Sequence, residues 1–269
     1  MRFCDAHNHL QDDRWPDTLA ERLASGRHVG VARMVVNGTH ESDWDAVARA
    51  ADQFPDEIIP SFGLHPWFVP ERSPDWLSIL RTFIERYPGA GVGEIGLDRW
   101  KEGLAEKEQE EVFLQQLQLA TEFDRPVSIH CLQAWGRLVE IVESERLPTR
   151  GFLLHSYGGS AELVARLARC GAYFSFPGAF AREKKTRQRE AFRQVPPDRL
   201  LVETDAPDQL PPRHLQAVKV EDAEGRPLNH PANLPAIYEV LAELREAPLD
   251  QLVPQVEQNF RRFFKSTAQ

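Results

Sequence analysis

Short apolar runs alternating with longer stretches of helical periodicity constrain this chain more than any other feature. The runs predict strands at 3–6, 33–37, 58–63, 91–95, 127–130, 152–155, 173–176 and 200–203. Between and after them, apolar residues recur with a 3.6-type period over 44–53, 74–86, 106–123, 134–144, 161–170, 183–194, 233–245 and 249–264. Eight strand-then-helix units in series imply parallel strands joined by helical crossovers. An α/β chain of 269 residues with that pattern fits a single-domain (β/α)8 TIM barrel spanning residues 1–269. The competing architecture, a doubly wound open sheet, places a glycine-rich phosphate loop after its first strand. Here that position carries His7-Asn8-His9.

Local signals agree with the boundaries. Ser160 precedes a helical run on which Glu162 and Arg166 stand four apart, a favourable pairing order. Pro74 after Ser73 suits a first helical turn. The stretch from Asp205 to Asn233 differs: Pro207, Pro211, Pro212, Pro227, Pro231 and Gly225 mark a long loop, expected to lie over the barrel's active face.

Composition removes several function classes. No apolar run approaches the roughly 20 residues of a membrane-spanning helix, and the N-terminus lacks a charged region followed by an apolar core. Cys4, Cys131 and Cys170 are far apart, as expected of reduced thiols in a cytoplasmic protein. A formal net charge of −9 disfavours a broad electrostatic grip on a polyanion. Any nucleic-acid substrate would therefore be held locally, and nothing in the sequence points to a membrane or a protein partner.

The polar residues at the strand ends carry the chemistry. In a barrel these ends converge on one face. The first strand leads into His7 and His9, which share a face by alternation. The fourth contains Glu94 and runs to Asp98, the fifth ends at His130, the sixth at His155, and the eighth leads through Glu203 to Asp205. Singly, each has an ordinary structural explanation as a cap or a rim residue. Together they are the donors of a metal centre for Zn²⁺, Mn²⁺ or Mg²⁺. Four histidines and at least two of the carboxylates make six ligands, too many for one tetrahedral ion with an open position. They suffice for two divalent ions about 3.5–4 Å apart that share a carboxylate and a water. There is no Gly-x-Ser-x-Gly elbow to suggest a covalent nucleophile instead.

These residues resemble the TatD family of metal-dependent hydrolases, in the amidohydrolase-type barrel superfamily. The resemblance rests on an ordered set: Asp5-Ala6-His7-Asn8-His9-Leu10, Gly63-Leu64-His65-Pro66, Gly93-Glu94-Ile95-Gly96-Leu97-Asp98, Ser128-Ile129-His130, His155-Ser156-Tyr157-Gly158-Gly159, Glu203-Thr204-Asp205-Ala206-Pro207 and Asn229-His230-Pro231-Ala232-Asn233-Leu234. It implies a two-metal site bridged by Glu94, with His7, His9 and Asp205 completing one shell and His130 and His155 the other. Asp205 would also be the general base. It implies a phosphodiesterase, specifically a deoxyribonuclease. Metal-dependent amidase, lactonase or deacylase chemistry on a small metabolite is the enzymatic alternative, and a metal-stabilised binding protein the non-catalytic one.

His65 stands where the resemblance implies contact with a substrate phosphate. Glu203 shares a face with Asp205 and could reach a metal or one of its ligands, and Asn229 is a candidate for substrate or scaffold. One departure concerns substrate. Many family members carry His-x-Arg after the fifth strand, whereas this chain reads His130-Cys131-Leu132, without the arginine. Cys131 is expected to be buried packing.

Overall fold

Every apolar run forms a strand: β1 (Phe3–Asn8), β2 (Val31–Asn37), β3 (Ile58–Phe62), β4 (Gly91–Asp98), β5 (Val127–Leu132), β6 (Phe152–Leu154), β7 (Ala172–Pro177) and β8 (Leu200–Glu203). In this computed structural model, which describes residues 1–265, they pair in parallel in sequence order. Residues 266–269 of the expected domain lie outside the described residues. Both faces of the sheet are covered, so the strands are buried along almost their whole length, as in β4, where all eight residues are buried.

The crossover helices are α1 (Leu19–His28), α2 (Glu41–Gln53), α3 (Trp76–Arg86), α4 (Glu106–Glu122), α5 (Trp135–Ser144), α6 (Ala161–Arg169) and α7 (Thr186–Gln194). Two more, α8 (Leu234–Leu244) and α9 (Leu249–Phe264), pack against β1 and β8. From α8 the Tyr238 hydroxyl accepts from the Cys4 N–H at 3.2 Å and donates to the Cys4 carbonyl at 2.8 Å. Its ring meets Phe3 edge-on. The N-terminal strand is thereby locked into the core.

The barrel's last seam, β8 to β1, is stitched by individual bonds. The Asp205 N–H donates to the His7 carbonyl at 2.9 Å and the His9 N–H to the Ala206 carbonyl at 2.7 Å. The fully buried Asp5 carboxylate accepts from the Thr204 N–H at 2.9 Å and from the Thr204 hydroxyl. Every one of these bonds fixes backbone next to His7, His9 or Asp205.

Several boundaries differ from the sequence reading. The helix after β1 carries few apolar residues, and only Arg22, Leu23 and Gly26 of it are buried. Its N-terminus is set by a capping box in which the Thr18 side chain accepts from the Glu21 N–H and Glu21 reaches back to the Thr18 N–H. The helix α2 begins at Glu41, three residues before the expected start, because Asp43 turns back to accept from Thr39 and leaves a polar first turn. Pro74 stands outside α3, which starts at Trp76, and residues 183–185 form a separate 3-10 turn ahead of α7. Arg166 reaches Glu143 on α5 at 2.6 Å instead of pairing along its own helix with Glu162. The proline-rich stretch contains a small hairpin, β9 (Val220–Glu221) with β10 (Pro227–Leu228).

Candidate metal centre

Glu94, on β4, is the hub of the strand ends. Its Oε2 lies 3.2 Å from His7 Nε2 and 3.2 Å from His9 Nε2. Its Oε1 lies 2.9 Å from His155 Nε2, 3.1 Å from His130 Nδ1 and 3.3 Å from His65 Nε2. Asp205 joins the first side, with Oδ1 3.4 Å from His9 Nε2 and 3.7 Å from His7 Nε2. All six expected ligands thus surround one small volume, His65 is beside them, and one carboxylate separates two sets of imidazoles. His9 is partly buried and the other six are buried.

The sequence brings them there by ordinary backbone rules. His7 is the penultimate residue of β1 and His9 follows its end, so both rings project to one side and their Nε2 atoms come within 3.3 Å of each other. Asp205, Ser156 and Gln133, at or just past the ends of β8, β6 and β5, have φ of 52°, 44° and 55°. Positive φ is unfavourable for non-glycine residues and costs about 1–3 kcal/mol each. For Asp205, the N–H bond to His7 holds the turn.

The remaining hydrogen bonds assign the rings. His9 Nδ1 donates to the Asn37 carbonyl at 2.8 Å, which leaves the Nε2 lone pair facing Glu94 and Asp205. His130 Nε2 lies 2.8 Å from Asp98 Oδ2, a carboxylate that accepts, so the Nδ1 lone pair is the one turned inward. His7 Nδ1 is 2.8 Å from the Ser128 hydroxyl. His65 is the exception. Its Nδ1 accepts from the Trp67 N–H at 3.1 Å, so in the neutral ring Nε2 carries the proton and presents a donor.

Electrostatics reinforce the arrangement. Burial would raise the Glu94 pKa, but the ring of imidazoles, led by His155 and His65, holds it well below the usual carboxylate range. Burial lowers His9, His130 and His155, yet contacts with Glu94, Asp205, Asp98 and Glu203 outweigh it and leave all three raised. His7 and His65 are lowered, mainly by burial, His65 to about 4. A buried carboxylate that draws protons onto its neighbours marks a place where positive charge is favoured. A divalent cation satisfies that demand while leaving the imidazoles neutral. His155 Nδ1 is buried with no hydrogen-bond partner. Three sets of side chains bring ligand atoms within 4.8 Å of one another: His7, His9 and Glu94; His7, His155 and Glu203; and His65, Glu94 and His130. The donors present fit divalent metal.

A family model described as TatD related DNase matches residues 4–265. The chain belongs to this family. Among its TatD relatives, a protein of Erwinia tasmaniensis named 3'-5' ssDNA/RNA exonuclease TatD is 32% identical over 247 residues, covering 90% of this chain and 92% of that one. A Bacillus subtilis protein named uncharacterized metal-dependent hydrolase YabD is 27% identical, with 97% of this chain and 98% of that one covered. The crystal structure of the TatD homologue YJJV from Escherichia coli K12 superposes with a TM-score of 0.86 at 27% identity, over 98% of each chain. The TatD assignment makes the chain a metal-dependent hydrolase on a TIM barrel.

The other expected residues separate by their contacts. Glu203 is fully buried, and its oxygens accept from the Ser156 N–H at 2.7 Å and from the hydroxyls of Ser156 and Ser175. It lies 3.8 Å from His155 Nδ1, so it ties β6, β7 and β8 together behind that ring. Asn229 donates to the Thr204 carbonyl at 2.7 Å and accepts from His230 and Asn233, which makes it scaffold holding the turn that bears Asp205. Cys131 is buried, and burial pushes its thiol up to about 12. Sequence reasoning missed the role of Asp98, which accepts from Trp67 Nε1 at 2.8 Å as well as from His130. It also missed Ser128 and the Asn37 carbonyl, because supporting hydrogen bonds leave no pattern of spacing.

Proposed function

We propose that this TatD-family barrel is a two-metal phosphodiesterase that shortens single-stranded nucleic acid. The observation that carries the reading is the division of Glu94. Oε2 faces His7 and His9 beside Asp205, while Oε1 faces His130 and His155. Two ions could be held with Glu94 between them, His7, His9 and Asp205 on one and His130 and His155 on the other. The relatives named as single-stranded DNA/RNA exonucleases support this substrate. Divalent ions bound there would supply a nucleophile at neutral pH and offset charge developing on the attacking and leaving oxygens.

The chain's own groups do the rest. Asp205, held by its backbone against the histidine-bearing C-terminal end of β1, is placed to orient a water and accept its proton. His65, with its proton on Nε2, is placed to donate to a phosphate oxygen. Lys101 adds a cation on the same side: its ammonium stands 4.7 Å from the centre of the Trp67 ring, which flanks both His65 and His130. A lysine there can serve where the sequence lacks the arginine after His130. Among the described residues no helix is long and apolar enough to cross a membrane. A cytoplasmic location is part of this proposal.

The test is release of nucleotides from a labelled single-stranded DNA or RNA oligonucleotide with Mg²⁺, Mn²⁺ or Zn²⁺. Glu94→Ala and Asp205→Ala should each lower the rate by about 10³-fold or more, because the site acts as a unit. They should also lower the metal bound per chain. Unchanged activity in both variants overturns the assignment. Release of no nucleotide with any metal turns the reading towards amide or lactone hydrolysis at the same centre.

A further inference from the structure

We propose that the segment 182–189, between β7 and the body of α7, is the grip for the sugar–phosphate backbone of a single-stranded substrate. The inference rests on the nuclease reading above and gives the site a substrate several nucleotides long. The segment reads Arg182-Glu183-Lys184-Lys185-Thr186-Arg187-Gln188-Arg189, five cations and one carboxylate in a chain whose net charge is −9.

Its place in the fold comes from the register. Pro177, the last residue of β7, pairs with Glu203, two residues before Asp205. The chain therefore leaves the barrel on the catalytic rim, between the strand that leads to His155 and the strand that leads to Asp205. The segment is also fastened there. Arg189 donates to the carbonyls of Phe180 at 3.1 Å and Arg182 at 2.6 Å, and Arg182 donates to the Leu210 carbonyl at 2.9 Å, in the loop that follows Asp205.

Arg182 and Arg189 serve the fold in this way, but among the described residues the side chains of Lys184, Lys185 and Arg187 make no hydrogen bond or ion pair that would account for their charge. Many arginines elsewhere are matched, as in Arg81 with Glu122 at 2.6 Å, Arg14 with Asp208 at 2.7 Å and Arg137 with Glu140 at 2.7 Å. Among the described residues, none of the five cations makes an ion pair, although Glu190 next to them pairs with Arg193 at 3.8 Å. Lys184 and Arg187 are exposed, and Lys185 lies over the Phe180 ring at 5.6 Å. All three crowd the start of α7, where the helix dipole makes positive charge unfavourable. Helix stability does not explain them, and a polyanion does. A chain this acidic has to confine such contacts to one place, and this place is on the rim that carries the metal centre.

The test uses the triple variant Lys184→Ala, Lys185→Ala, Arg187→Ala, whose positions are exposed or half-buried, so the fold should persist as judged by its melting temperature. Binding of a fluorescent single-stranded 12-nucleotide DNA is read by anisotropy, with EDTA present, across a salt series. Each phosphate contact contributes about 0.7 to the slope of log affinity against log salt on a single strand. The variant's slope should be shallower by about 2, and its affinity at low salt about tenfold or more weaker. With metal present, its kcat/KM on the oligonucleotide should fall relative to that on bis(p-nitrophenyl) phosphate. An unchanged slope, an equal loss on both substrates, or no salt-dependent binding by the parent protein overturns the grip. Binding with the expected slope but no cleavage would instead count against the nuclease reading and leave the grip standing.

Discussion

Asp98 Oδ2 stands 2.8 Å from His130 Nε2. The carboxylate is tied down by the N–H groups of Trp100 at 2.8 Å and Lys101 at 2.9 Å, which both donate to Oδ1. It therefore fixes the proton on the outer nitrogen of His130 and the lone pair on the inner one. Asp98→Asn removes the charge and offers a group that can donate, which frees the ring to adopt the other tautomer. Loss of such a supporting carboxylate costs about 10–100-fold in metal affinity. A calorimetric metal titration should show that weakening while the melting temperature moves little.

Asp5 closes the barrel instead of binding metal. It accepts from the Thr204 N–H, the Thr204 hydroxyl and Asn8 Nδ2, all buried. Asp5→Ala strands these donors, at about 1–3 kcal/mol for each group left unsatisfied. Urea unfolding should show a loss of about 3 kcal/mol or more. Because Thr204 precedes Asp205, activity should fall even where the variant stays folded. Full activity in a destabilised variant would show that the seam does not position Asp205.

The parts of the fold and of the site that were legible in the sequence share one property: they repeat. Strand after strand shows the same apolar run ending in a polar side chain, and convergence of barrel strand ends turns that repetition into a metal centre. The helix at Leu19–His28 was illegible because its buried face holds Arg22 and Gly26 beside a single leucine, and only the Thr18–Glu21 capping pair announced it. Glu203 and Asp205 share a face, yet hydrogen bonds from Ser156 and Ser175 occupy one while Asp205 stays near His9. Alternation sees the face and not the partners. The basic segment at 182–189 was read only as a helix, because its meaning depends on the rim it leaves and on its cations making no ion pair among the described residues, although Glu183 and Glu190 stand beside them.

Acid should loosen this fold through His230. Its ring is buried, accepts from the Ala232 N–H at 3.0 Å and meets Trp15 edge-on, and burial lowers its pKa to about 4. The unfolded imidazole titrates near 6.5. Between these values the unfolded chain binds more protons, so stability rises with pH across the window and is lost as pH falls from 6.5 towards 4. At about 1.4 kcal/mol per pH unit, the group accounts for about 3 kcal/mol. His230→Gln should flatten the stability profile by that amount between pH 6.5 and 4. Parallel profiles for the two proteins would contradict it.

Gly96 should prove as necessary to the centre as a ligand. It pairs with His130 across β4 and β5, at a φ of 148°, and a Cβ there would fall 1.9 Å from the His130 carbonyl oxygen. No rotamer relieves a clash with backbone, so Gly96→Ala must push the two strands apart. The displaced strand carries His130, whose ring is held between Glu94 and Asp98 at 3.1 and 2.8 Å. The variant should lose more than about 2 kcal/mol of stability and most of its metal affinity. Gly103 is the control: its φ is also positive, at 82°, but nothing lies within 4 Å of an added Cβ. Gly103→Ala should cost only about 1 kcal/mol of backbone strain and leave metal binding unchanged. If both variants behaved alike, strain at glycine and not the approach of β4 to His130 would be the cause.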